Sequence, residues 1–276
     1  MSDPLALLPL AIAAGGGRLG NFDAASLVAA GLTLLQRSAP LVRILATTRS
    51  AILLPSGPAF LVALAGSDGR GALLLDPRDD APSIARHLTD AQVGAVFTCE
   101  ALRPLLPPGT PVVLLDQAPR MARVELPGRH MDVDLGSHHG LALEGDTATE
   151  GRDEECLITA APTAAGRVHT HRDLIAMGRA TVAECLLTPV DHVWSLLPSF
   201  HPASIAVGLV APLLAGARVT TRPATELADM LATMEHDGIT MMAGQWRTPT
   251  GPRLALLGTA HAIPALREGT LILADR

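Results

Sequence analysis

The segment that decides the fold is Ile158–Leu174, ITAAPTAAGRVHTHRDL. It starts inside an apolar run, ECLITA, and leads into HRDLIAMGRATVAECL, whose spacing predicts a helix. A strand, a loop of small residues and a helix, in that order, are the parts of a phosphate cradle, where backbone N–H groups face an anion. The loop here is mostly alanine. Alanine disfavours the positive-φ turns that glycine permits, and Pro162 removes one backbone donor.

Outward from this segment the chain alternates between two kinds of pattern. Residues 24–36, AASLVAAGLTLLQ, are apolar at helical spacing. Ala51–Leu54 reads as a buried strand ended by Pro-Ser-Gly, and PAFLVALAGSDG as a helix with Pro58 in its first turn. GALLLDPRDD is a strand and APSIARHLTDAQV an amphipathic helix, capped by Ser83 or an upstream Asp. GAVFTCEALRPLL and TPVVLLDQAP add strand, short helix and strand. After the segment come the strand DHVWSLLPSF, the apolar helix ASIAVGLVAPLLAGA, the strand RVTTRP, the helix ATELADMLATMEHDG, and the strands ITMMAG and PRLALLGTA. Alternation of this kind predicts an α/β fold with parallel sheets covered by helices. The expected organisation is a flexible segment over 1–19, a first α/β subdomain over 20–120, a polar connection over 121–150 and a second α/β subdomain over 151–276.

Composition narrows the function. A length of 276 residues, 48% hydrophobic, buries a sizeable core. The net charge of −6 offers no footprint for nucleic acid. Cys99, Cys156 and Cys185 lie far apart with no CxxC pair, which speaks against zinc and disulfide frameworks and fits a cytoplasmic location. The N-terminal apolar run of about a dozen residues is too short to span a bilayer. Asp3 stands where a signal peptide carries positive charge, so a soluble protein is expected. All 21 basic residues are arginine, and tyrosine is absent. Chemistry that needs a compact ammonium or a Schiff-base amine is therefore closed to the side chains.

The order ITAAPTAAGRVHTHRDLIA, then TPVDHVWSLLPSFHPASIAVGLVAPLLAGARVTT, resembles the N-terminal domain of the adenylate-forming (AMP-binding) enzymes. These include acyl- and aryl-CoA synthetases, peptide-synthetase adenylation domains and luciferases. Upstream, AILLPSGPAFLVALAGSDGRGALLLDPRDD is similar to that family's first subdomain, and the likeness runs from about residue 25 to 265. The resemblance implies two stacked α/β subdomains, with the family's C-terminal lid absent from this sequence. It also implies a reaction: a carboxylic acid is activated with ATP and magnesium, pyrophosphate leaves, and the acyl group passes to a thiol.

Carried over position by position, the resemblance makes Thr159, Thr163, Gly166 and Arg167 the remains of the phosphate loop. Ala160 stands where the family has a serine, and the family's Pro-Lys pair has no counterpart. Each lost donor or charge costs on the order of 1–3 kcal/mol of phosphate binding. His201, Ser204 and Gly208 are implied at the acyl pocket, and Gly258 and Ala260 on the adenine side. In AGQWRTPT, where the family has a Gly-x-Pro-Thr turn, only Gly244 matches well. The family's Tyr-Gly-x-Thr-Glu motif, ribose-binding aspartate and catalytic lysine have no counterpart.

Other motifs read as structure. His169 and His171 share one face of an extended chain, but no third metal ligand accompanies them, and His171 is expected to hydrogen-bond backbone at a strand-to-helix junction. His138 and His139 read as a solvated loop. Ser199, Ser204 and His201 lack the Gly-x-Ser-x-Gly elbow of a hydrolase. GGGRLG, residues 15–20, lacks the strand and helix that a dinucleotide fingerprint requires. The methionines of DMLATMEHDGITMM read as core. The expectation is a degenerate acyl-CoA-synthetase-like protein, without catalytic residues, metal or cofactor, that binds an acyl or aryl ligand or a partner. That partner is an intact synthetase, a carrier-protein enzyme or a second copy. The alternatives are a minimal ATP- and magnesium-dependent acid–thiol ligase completed by another polypeptide, and a structural subunit.

Overall fold

The computed structural model describes residues 8–67, 71–136, 155–159, 167–222 and 227–272. Its contacts divide the chain into two compact units, one of residues 1–10 and 26–172, the other of residues 11–25 and 173–276. The chain opens with α1 (Leu8–Gly15), β1 (Arg18–Leu19) and β2 (Phe22–Asp23). This corrects the reading of 1–19 as flexible: residues 8–15 are helix, and residues 18–19 pair into the second unit's sheet. Helix α1 is apolar all round, so it carries no amphipathic signal that separates it from an apolar tail.

The first unit follows with α2 (Ala24–Arg37), α3 (Ala39–Leu45), β3 (Arg49–Ile52), α4 (Pro58–Gly66), β4 (Ala72–Leu74), α5 (Ala81–Asp90), β5 (Val93–Thr98) and β6 (Val112–Leu115). It is completed by β7 (Met121–Leu126), β8 (Arg129–Asp134), β9 (Glu155–Thr159) and β10 (Arg167–Thr170). The sheet order is β10-β9-β4-β3-β5-β6-β7-β8. Strands β9, β4, β3, β5 and β6 run parallel, and β10, β7 and β8 are added antiparallel at the edges. Strands β4 and β6 are buried at every residue, as parallel strands covered on both faces must be. On one face Ala51, Leu53, Leu73, Leu75 and Val96 meet Ile84 and Leu88 of α5. Asp80 caps α5 by accepting the Ser83 N–H at 2.9 Å, so the cap is the upstream Asp.

Two boundaries differ from the expected ones. Residues 121–134 of the presumed polar connection form the hairpin β7–β8, with Ala122 and Val124 inward and Met121 and Arg123 outward. Pro127-Gly128 makes its turn, with Gly128 at φ +75°. Charged residues on the outer face mask the alternation when the segment is read as a run. Second, β9 and β10 lie in the first sheet, so the break falls after Arg172 and not at 150. A strand's sheet depends on its partners, here β4 beside β9, and those are distant in sequence.

The second unit continues with α6 (His171–Cys185), β11 (His192–Ser195), α7 (Pro202–Ile205), a π turn (Ala206–Val210) and α8 (Ala211–Leu214). Then come β12 (Arg218–Thr220), α9 (Leu227–His236), β13 (Met241–Thr248), β14 (Gly251–Gly258), α10 (Thr259–Arg267) and β15 (Leu271–Ile272). The sheet order is β14-β13-β11-β12-β1-β2, with β15 paired to β13. Met230, Met234 and Met242 are core, packed with Trp194 and Trp246. Helix α8 ends in a Schellman motif: Gly216, at φ +77°, donates to Leu213 O, and Ala217 donates to Pro212 O at 2.9 Å. GGGRLG docks on that turn. A Cβ on Gly17 would meet Leu213 Cα at 2.7 Å, and Arg18 N–H donates to Ala217 O. Its glycines permit close backbone packing.

At the N-terminal ends of β11 and β13 sits a polar lock. His192 is buried, with Nδ1 2.9 Å from Asp237 O and Nε2 2.9 Å from Thr220 Oγ1. Asp191 accepts from Thr188 N, Thr188 Oγ1 and Thr240 Oγ1. Burial holds His192 below the ordinary imidazole value, with the Arg218 charge acting in the same direction and the Asp237 carbonyl and carboxylate opposing it. The unfolded chain therefore takes up a proton near pH 6.5 that the folded chain takes up only at lower pH. Stability is expected to fall as the pH drops through about 6.5, read as the urea midpoint. His192→Asn should flatten that slope.

Helices α2 and α4 touch at Gly31, where a Cβ would meet Val62 O at 2.5 Å and Ala65 Cβ at 2.6 Å. Gly31→Ala is expected to cost about 1–3 kcal/mol in denaturant unfolding, because backbone has to move to admit it.

Candidate functional site

In the first unit the loop that resembles a phosphate cradle is closed by β9 and β10. Thr159 and Arg167 pair across the antiparallel ladder, and Val168 pairs with Ile158. Thr159 also pairs with Leu74 of β4, so β9 ends at the carboxyl edge of the parallel sheet, where α/β folds place ligands. The Thr159 hydroxyl donates to Arg167 O at 3.3 Å, an internal hydrogen bond across the base of the loop. Arg167 itself is exposed. Thr163 and Gly166 lie outside the described residues. A register shift between His169 and Thr170 turns the chain into α6. There His171, 3% exposed, accepts the Leu8 N–H on Nδ1 at 2.9 Å. It hydrogen-bonds backbone at a strand-to-helix junction, as the sequence implies. Among the described residues no group of three or more His, Cys, Asp or Glu gathers to hold a metal.

The other candidate residues lie in the second unit. His201 is exposed at the start of α7, and its side chain makes no capping hydrogen bond. Ser204 and Gly208 are buried, Ser204 in α7 and Gly208 in the π turn. Pro212 has no N–H for the carbonyl four residues back, that of Gly208, and the helix widens there to a π turn. Gly208 lies against the end of β11: a Cβ would fall inside contact distance of Ser195 Oγ and 3.3 Å from Leu197 Cδ1. The apolar run from 203 to 217 reads as one helix, and only Pro212 in the sequence signals the interruption.

Gly258 ends β14 and caps α10, with nothing within 4 Å of a Cβ built on it. Ala260, in the first turn of α10, is exposed. Gly244 lies inside β13, where a Cβ would meet Leu271 Cδ1 at 2.8 Å. Strands β13 and β14 form an antiparallel hairpin turned by Pro249-Thr250. The strand expected over PRLALLGTA is thus antiparallel to β13, because no helix separates the two, and α10 and β15 follow it. Trp246 and Ser195 carry no motif, and their places in the second unit emerge only from the packing.

The Gly208–Ser195 contact is testable. Gly208→Ala is expected to destabilise by about 1–3 kcal/mol, from overpacking at β11. Adding Ser195→Ala should recover most of the loss, and the double-mutant cycle in urea measures the coupling.

No family model matches the sequence. The structure is nevertheless similar to solved proteins of one kind. MatB from Rhodopseudomonas palustris is 18% identical with a TM-score of 0.61, over 86% of this chain and 48% of MatB. A fatty acyl CoA synthetase of Mycobacterium tuberculosis is 17% identical with a TM-score of 0.62, over 87% of this chain and 49% of the synthetase. CmiS6 is 17% identical with a TM-score of 0.64, over 88% and 59%. The chain spans about half the length of the first two. By this likeness the chain has the fold of the adenylate-forming enzymes.

Proposed function

We propose that this chain is an acyl-CoA-synthetase-like protein that binds a carboxylic acid with an acyl or aryl body, and does not adenylate it unaided. The observation that carries the reading is the Thr159–Arg167 hydrogen bond: the first hydroxyl of the loop is engaged by backbone. Pro162 removes a donor, and no lysine occurs anywhere in the chain. The sequence of the loop, residues 159–167, offers a polyphosphate two threonine hydroxyls and the one cation of Arg167. ATP does not fit such a donor set in the family manner. On the acid side, His201 is exposed beside the buried Ser204, and those residues suit a ligand with an apolar body and one polar end. The reading places the protein in the cytoplasm, with an intact synthetase, a carrier-protein enzyme or a second copy as its partner.

ATP–pyrophosphate exchange, measured on the purified chain with magnesium and a panel of aliphatic and aromatic acids, is expected to stay at the level of a no-enzyme control. Calorimetry at millimolar ATP should show no saturable heat. Exchange above the control, or ATP binding that Arg167→Ala abolishes, would overturn the reading in favour of the minimal ligase. On the binding side, at least one acid of the panel should raise the melting temperature, and His201→Ala should weaken that acid several-fold.

A further inference from the structure

Strand β13 changes neighbours halfway along. Met241–Ala243 pair with β11, which ends at Ser195, and Gln245–Trp246 pair with β15. The two-residue β15 thus occupies the place beside β13 that opens where a parallel strand stops. That is the carboxyl edge of the sheet, where α/β folds leave room for ligands. The chain reaches it through a second Schellman turn at the end of α10. Gly269, at φ +67°, donates to Leu266 O, Thr270 N–H and hydroxyl donate to Ala265 O, and Arg247 N–H donates to Thr270 O at 2.7 Å.

Leu271 lies over Gly244 and Trp246. A Cβ on Gly244 would sit 2.8 Å from Leu271 Cδ1 and 3.4 Å from Trp246 Nε1. Trp246 is 4% exposed, and its indole N–H has no hydrogen-bond partner among the described residues. The other tryptophan, Trp194, donates to Arg222 O at 2.9 Å. A buried donor without an acceptor is costly, and an acceptor that arrives from elsewhere would relieve that cost. Gly244 and Trp246 point to the α9–α10 side of the sheet, opposite Ala243 and Gly208, so this slot is separate from the residues around His201.

We propose that Gly269–Ile272 is a displaceable strap, and that an apolar ligand with one hydrogen-bond acceptor takes the place of Leu271 and receives the Trp246 indole N–H. Among the described residues, one short ladder and one leucine hold the slot closed in the free chain. A ligand must outcompete it, so the strap lowers affinity and selects for molecules that satisfy the indole. This goes beyond the acid-binding reading above and stands or falls separately from it, because it uses neither the loop at Thr159 nor His201.

Labelling with nitrogen-15 gives two indole N–H signals, one per tryptophan, and that of Trp194 serves as the internal reference. In Leu271→Ala the Trp246 indole proton is expected to exchange with water at least ten-fold faster than in the unaltered chain, with Trp194 unchanged. Octanoate is the probe ligand. It should shift the Trp246 signal and bind Leu271→Ala at least ten-fold more tightly than the unaltered chain. Adding Trp246→Phe should remove most of that gain while keeping the aromatic body. Unchanged indole exchange in a folded Leu271→Ala protein overturns the strap. Faster exchange with equal octanoate affinity in both proteins overturns the ligand's claim on the slot. Where Leu271→Ala does not fold, Leu271→Val carries the same comparison with a smaller truncation. Loss of octanoate binding in His201→Ala alone would place the probe at the other site and overturn the assignment.

Discussion

Parallel strands covered on both faces have no side on which to place a polar group. The rest of this structure follows from that constraint. In β4, β6 and β11 successive residues are all buried, so polar chemistry is pushed to the strand ends. At the N-terminal ends it becomes a structural lock, with His192, Asp191 and Thr240 hydrogen-bonded among themselves and to backbone. At the carboxyl ends lie the candidate residues of each unit: Thr159 at the end of β9 in the first, and Ser204 and Gly208 after β11 in the second.

The constraint also explains why glycine matters at a few positions. Helices and turns that cover a sheet closely need places without a side chain. Gly31 brings α2 against α4, Gly208 brings the π turn against β11, and Gly17 brings the start of the chain against the turn after α8. Each is a contact between backbones or between backbone and a strand's side chain. At Gly31 and Gly17 an added methyl group would meet backbone, so its cost is that of moving whole elements, whereas at Gly208 it would meet the Ser195 hydroxyl.

The same physics decides how much could be read beforehand. Apolar runs such as Ala51–Leu54 announce buried strands, and Asp80 ahead of APSIARHL announces a capped helix. The β7–β8 hairpin was concealed because its outward residues are charged, and α1 because it is apolar on every side. Helix α10 was missed because Pro264 lies inside it. The candidate residues were legible by type and place in the chain: Thr159 and Arg167 do flank one loop, and His171 does seat on backbone. What those residues touch was not. The carbonyl that takes the Thr159 hydroxyl, the serine beneath Gly208 and the unpartnered indole of Trp246 depend on elements brought together over long sequence distances.

Both tryptophans, Trp194 and Trp246, lie in the second unit, and the chain has no tyrosine. Emission excited at the red edge of the ultraviolet band, where only tryptophan absorbs, therefore comes from one unit alone. A fluorescence melt of this protein follows the second sheet and is blind to the first. Comparing it with far-ultraviolet circular dichroism, which sees both sheets, separates one cooperative unfolding event from two.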